Sequence, residues 1–173
     1  MNDNLRDPTT IPTDHLGTVG KLDDGRTFVK FERNLNHPID KVWAAITDPA
    51  SRECWFPGFT LELALGGHFD IWFGGECDGP AHMTGFVTEL DPPKLLQCGS
   101  MRYELIATEQ GCQLTFTDIV QYSPAELNAK ILNSILGGWH HHTDLLETYL
   151  AGSEVDQSMP ELDYAKVSIP GRD

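Results

Sequence analysis

Three consecutive histidines stand in the run Gly137-Gly138-Trp139-His140-His141-His142-Thr143-Asp144-Leu145-Leu146. Imidazoles can ligate a metal, carry protons near neutral pH or hydrogen-bond a ligand. The run has the pattern of an amphipathic helix, in which each residue turns about 100° from the last. With Ile131 as origin, Ile135, Trp139, His142, Leu146 and Tyr149 fall within about a quarter of the circle, and His140 and His141 fall outside it. His142 is therefore expected on the apolar face and the other two at solvent. Metal-binding helices place histidines at i and i+4, on one face, so adjacent histidines do not form a ligand set and no metal is expected. His68 and His82 could join such a site only by accident of the fold. A titratable ring between Trp139 and Leu146 suggests a pocket more than a solid core. There His142 could be an acid/base, a hydrogen-bonding group for a ligand, or a buried histidine satisfied by a neighbour, with Glu89 and Tyr103 as candidate partners.

Other chemistry has less support. Cys54, Cys77, Cys98 and Cys112 are spread singly with no C-x-x-C pair, which argues against a zinc site and a disulfide framework. No nucleophile elbow, phosphate-binding loop or dinucleotide fingerprint is present, so no cofactor is expected. Acidic residues outnumber basic ones 26 to 12, for a formal charge of −14. That field repels phosphate backbones and anionic lipid, which excludes nucleic-acid and membrane partners. No apolar run reaches the ~20 residues of a membrane span, and the N-terminus lacks the basic start and apolar run of a signal peptide. A cytoplasmic location is expected.

The elements that must position His142 can be read from turn signals and periodicity. Residues 1–14 form an expected flexible arm, 15–152 a single domain and 153–173 a tail that Leu162, Tyr164, Val167 and Ile169 could tack onto the body. Strands are expected at 16–22 and 26–35, joined by Asp24-Gly25. Pro38 opens a helix carrying Val42, Trp43 and Ile46. Thr47-Asp48-Pro49 stops it and starts a second short turn, followed by an aromatic loop at Trp55-Phe56-Pro57-Gly58. Alternating segments near 59–63, 67–73, 81–90, 94–99, 101–108 and 112–121 predict a meandering antiparallel sheet. Ser123-Pro124-Ala125-Glu126 has the pattern of a helix opening, and the helix is expected to run to about Ala151, with Gly137-Gly138 as a kink or close-packed spot. Such an order gives an α+β domain. Phe69, Ile71 and Phe73 share one side of their strand. With Met83, Val87, Glu89, Met101 and Tyr103 from other strands and Ile135, Trp139, His142 and Leu146 from the helix, they are the candidate pocket residues.

Phe31-Glu32-Arg33, His37-Pro38-x-x-Lys41-Val42-Trp43-x-Ala45-Ile46-Thr47-Asp48-Pro49, Trp55-Phe56-Pro57, Gly66-Gly67-x-Phe69, Gly85-x-Val87-x-Glu89-Leu90-Asp91-Pro92-Pro93-Lys94-Leu95-Leu96 and Gly138-Trp139-His140-x-x-x-Asp144-x-Leu146 follow one another along the chain. In that order they resemble SRPBCC (START-like) proteins, in the branch named after the activator of a heat-shock-protein ATPase. The resemblance spans roughly residues 16–151. It implies a helix-grip fold: an antiparallel sheet curved around a long C-terminal helix over an internal hydrophobic cavity. It also implies a small hydrophobic or amphipathic ligand, with a cyclase, hydrolase or isomerase using the same cavity as the alternative. A third reading is a chaperone-associated interaction module, with Trp55-Phe56 as the candidate contact. That partner has less support, because the eukaryotic activator's ATPase contacts involve a separate N-terminal domain. A homodimer stays open.

Overall fold

Alternation of buried and exposed side chains puts one face of every long strand inward, and the strands assemble accordingly. The computed structural model describes residues 13–158 and 161–169. Eight strands form one antiparallel sheet: β1 (Thr18–Lys21), β2 (Thr27–Leu35), β3 (Phe59–Leu61), β4 (His68–Ile71), β5 (Met83–Asp91), β6 (Leu95–Cys98), β7 (Met101–Thr108) and β8 (Gly111–Ile119). Their order in space is β1-β2-β8-β7-β6-β5-β4-β3. The one long-range pairing is β2 with β8, in register Phe31↔Phe116 and Leu35↔Cys112. Helices α1 (Ile39–Thr47) and α2 (Pro49–Trp55) bridge β2 to β3, and α3 (Ala129–Leu150) follows β8. The result is an α+β helix-grip fold, with the curved sheet wrapped around α3.

The core lies between the sheet's inner face and α3. Val29, Phe31 and Leu35 from β2, Cys112, Leu114 and Phe116 from β8, and Leu136, Leu145, Leu146 and Leu150 from α3 are all buried there. Removing this much apolar surface from water is the main stabilising term.

Local chemistry explains the element boundaries. The Asp48 carboxylate accepts the Ser51 N–H at 2.9 Å, with Pro49 in the first position of α2. The helix runs to Trp55, the first residue of the expected aromatic loop, and this turns that loop inward. Trp55 and Phe56 are 2% and 1% exposed. The Trp55 indole donates to the Ala45 carbonyl at 2.9 Å, and the Phe56 ring packs 5.2 Å from Phe59. The contact proposed for a chaperone-type partner is therefore core.

Helix α3 starts later than the Ser123 signal suggests. The Glu126 carboxylate does take the Ser123 N–H and hydroxyl, at 3.0 and 2.6 Å, but it closes only an isolated turn. The helix itself is capped by Asn128, whose side chain accepts from Ile131 N–H at 3.0 Å.

Residues 1–12, most of the expected arm, lie outside the described residues, and Thr13–His15 form a 3-10 turn. Leu162, Tyr164, Val167 and Ile169 are buried. The Tyr164 hydroxyl accepts the Gly17 N–H at 2.6 Å and lies 2.8 Å from His140 Nδ1. This segment gives α3 a second covered face, and that corrects the expectation for His140. The ring is 1% exposed and packs edge-on against Phe31 and Tyr164.

Candidate functional site

The pocket is built where the apolar arc of α3 passes the end of β8. Ile135, Gly138, Trp139 and His142 contribute from the helix, Asp118, Val120 and Tyr122 from β8 and the residues after it, and Phe73, His82 and Met83 from the β4–β5 connection and the first residue of β5. It encloses about 770 Å³, within the range of small-molecule sites. Phe73 and Tyr122 are 40% and 47% exposed, so the space is a pocket with an open mouth. Gln157 and Glu161 from the tail also line it.

Trp139 is the fixed wall. Its indole donates to Asp118 Oδ2 at 2.9 Å, and its ring lies 4.7 Å from Phe116. Asp118 Oδ1 accepts the Ser100 hydroxyl at 2.7 Å. Burial pushes the Asp118 carboxyl up, and the two hydrogen bonds oppose that shift. Around Trp139 stand Phe73 at 5.9 Å and His142 at 5.7 Å, with Phe56 4.2 Å from His142.

The proton on His142 can be placed from its partner. Nδ1 is 2.8 Å from the Gly138 carbonyl, which can only accept, so Nδ1 carries the hydrogen. Nε2 is then a bare acceptor, with no partner among the described residues, on a ring that lines the pocket. Burial pushes the imidazole down to about 4; the Gly138 bond opposes this and His141 adds to it. His82 has the opposite tautomer. Its Nδ1 accepts the Phe73 N–H at 3.0 Å, leaving Nε2–H as a donor. Its ring stacks on Phe73 at 6.0 Å.

Of the twelve residues proposed from the sequence, Phe73, Met83, Ile135, Trp139 and His142 line this pocket. Phe69, Ile71, Val87, Met101, Tyr103 and Leu146 do not: they are closely packed core, none more than 3% exposed. Burial also raises the Tyr103 phenol. Glu89 is turned outward. A register shift between Val87 and Glu89 breaks the alternation, and the carboxylate pairs with Arg102 at 2.9 Å, where it is half exposed. Neither Glu89 nor Tyr103 bonds His142.

Asp118 was not singled out in the sequence, and His82 was weighed there only as a metal ligand. Asp118 had a readable signal, because it continues the inward series Cys112, Leu114, Phe116 in β8. His82 had none, since it depends on how the β4–β5 loop closes.

One further cluster and one buried thiol are structural. His15, Asp144 and Glu147 bring ligand-type atoms within 4.8 Å of one another. The fully buried Arg33 guanidinium already sits 3.0 Å from Glu147 and 3.6 Å from Asp144, so the carboxylates are charge-paired within the protein. Burial pushes the Cys98 thiol up to about 12, which leaves it without nucleophilic character at neutral pH.

No curated protein matches the chain. Solved structures share its fold. A protein of unknown function from Enterococcus faecalis, EF2215, superposes with a TM-score of 0.62 at 18% identity, covering 88% of this chain and 82% of its own. MLL2253 from Mesorhizobium loti gives 0.60 at 23%, covering 72% and 97%. CalU16 from Micromonospora echinospora gives 0.59 at 19%, covering 78% and 85%. The helix-grip fold has a general capacity to hold a hydrophobic ligand between sheet and helix, and the pocket described above occupies that place. Among the described residues no helix is long and apolar enough to cross a membrane. The model of the family "Activator of Hsp90 ATPase homolog 1-like protein" matches residues 36–151, two thirds of the sequence and the whole of the sheet-and-helix frame from α1 to the end of α3, and the chain belongs to that family.

Proposed function

We propose that this protein binds a small, mainly apolar molecule in the pocket between α3, the end of β8 and the β4–β5 connection. The observation that carries this is the open pocket of about 770 Å³ walled by Phe73, Trp139 and His142, with an unpartnered acceptor at Nε2. Burial of apolar ligand surface supplies about 25 cal/mol per Å² before the costs of association, and the few polar atoms set orientation.

Catalysis in the same pocket is the less favoured reading. A general base works best with a pKa near the working pH, and an imidazole held at about 4 is a poor proton acceptor. The low value suits a neutral hydrogen-bond acceptor. The contact that suggested a chaperone-associated role is not at the surface, since Trp55 and Phe56 are interior.

Gly138 offers the test. A Cβ built there meets nothing within 4 Å, and the residue faces the pocket. Gly138→Leu should fill the space without disturbing the fold. Titration with the neutral fluorescent probe Nile red is expected to show saturable binding to the natural protein and at least about tenfold weaker binding to the variant, a loss of ~1.4 kcal/mol. Equal binding with an unchanged unfolding transition would place the probe elsewhere.

A further inference from the structure

Building on the pocket reading, we propose that the natural ligand is an uncharged aromatic molecule bearing a hydroxyl group, whose O–H donates to His142 Nε2. Three features of the pocket select this class.

The first is hydrogen-bond polarity. His142 Nδ1–H is committed to Gly138, so Nε2 can only accept. A ligand must bring a donor to it, and an ether or a hydrocarbon of the same shape leaves it unpaired. His82, with Nδ1 committed to the Phe73 N–H, offers the reverse, an Nε2–H for a neutral oxygen. A hydroxylated ring system carries both functions.

The second is charge. Asp118 lines the interior, Glu161 lines the mouth, and the chain carries a formal charge of −14. A fatty acid or other carboxylate would enter against this field and find no arginine or lysine among the pocket's lining residues.

The third is ring surface. Phe73 is 40% exposed although its ring already contacts Phe56, His82, Trp139 and His142. The uncovered part of Phe73, with exposed Tyr122 also lining the pocket, presents aromatic surface that a planar ring can stack on or meet edge-to-face.

Four probes of one skeleton separate these features: naphthol, methoxynaphthalene, naphthoate and decahydronaphthol, each competing with Nile red at neutral pH. Naphthol is expected to bind about tenfold more tightly than each of the others. In His142→Phe its advantage over methoxynaphthalene, read as the ratio of the two affinities in that variant, should vanish. In His142→Gln, which keeps an acceptor oxygen, the advantage should persist, and this arm holds should the Phe variant misfold. Equal binding of naphthol and methoxynaphthalene, or tightest binding of naphthoate or decahydronaphthol, would overturn the ligand class and leave the pocket reading standing. Failure of all four to displace the probe, together with unchanged Nile red binding in Gly138→Leu, would overturn both.

Discussion

His142 is uncharged at neutral pH because its ring is enclosed by Phe56, Phe73 and Trp139, where an imidazolium would lose hydration without gaining a counter-charge. The consequence for stability has a definite sign. The folded-state value of about 4 lies below the ordinary 6.5, so between those limits the unfolded chain holds the extra proton. The stabilisation is complete above pH 6.5 and is lost as pH falls towards 4, to an extent on the order of 3 kcal/mol. Denaturant unfolding across that window should show the loss, and His142→Phe should flatten it. Gly137 and Gly138, adjacent and both helical, should respond oppositely to alanine. A Cβ on Gly137 would stand 2.8 Å from the Leu162 carbonyl, whereas one on Gly138 meets open space. Gly138→Ala should gain up to about 1 kcal/mol from helix propensity, and Gly137→Ala should lose stability, as thermal unfolding would reveal. His142 was legible in the sequence because helical periodicity alone places it beside Trp139. Its partner was not, because the Gly138 carbonyl is a backbone group that periodicity does not report. Asp118 was legible by strand alternation, yet an acid in an apolar series is visible only once the whole inward face is counted.

At the level of elements, α3 explains both the success and the error of the sequence reading. The arc from Ile131 to Tyr149 catches one edge of the buried face: Trp139 and Leu146 are buried and Ile135 and His142 border the pocket, but Leu132, Leu136, Thr143 and Leu150, outside that arc, are buried as well. The opposite face carries His140, which amphipathic reasoning assigns to water. In the structure the segment at 161–169 crosses that face, and the Tyr164 hydroxyl ties Gly17 and His140 together. The tail's apolar residues signalled docking, but its site depends on contacts nearly 150 residues apart in the chain, beyond the reach of local pattern. Tyr164→Phe keeps the ring and removes the hydroxyl, leaving the Gly17 N–H and His140 Nδ1 without that partner. It should cost about 1–3 kcal/mol in denaturant unfolding. Strand β5 repeats the lesson on a smaller scale. Alternation predicts Glu89 inward with Val87, and one bulge reverses it.

At the scale of the whole molecule, the strand meander and the long final helix were legible because turn signals separate them cleanly. The pairing of β2 with β8, which closes the sheet into a grip, was not derivable from periodicity. The resemblance implied the helix-grip as a whole, without that pairing. The sheet's inner face is filled near β6 and β7 by Leu96, Cys98, Met101 and Tyr103 and is open beside the middle of α3. Which inward residues become core and which become pocket is decided by how the sheet curves, a property of the assembled molecule. The central claim is that this remaining space is where a ligand is held. Its most direct test is two-dimensional NMR of the labelled protein titrated with naphthol. The account predicts shift changes that saturate and concentrate on Phe73, Met83, Ile135, Gly138, Trp139 and His142. Changes centred instead on the exposed apolar residues Leu65, Phe86 and Ile106, or none at saturating probe, would contradict it.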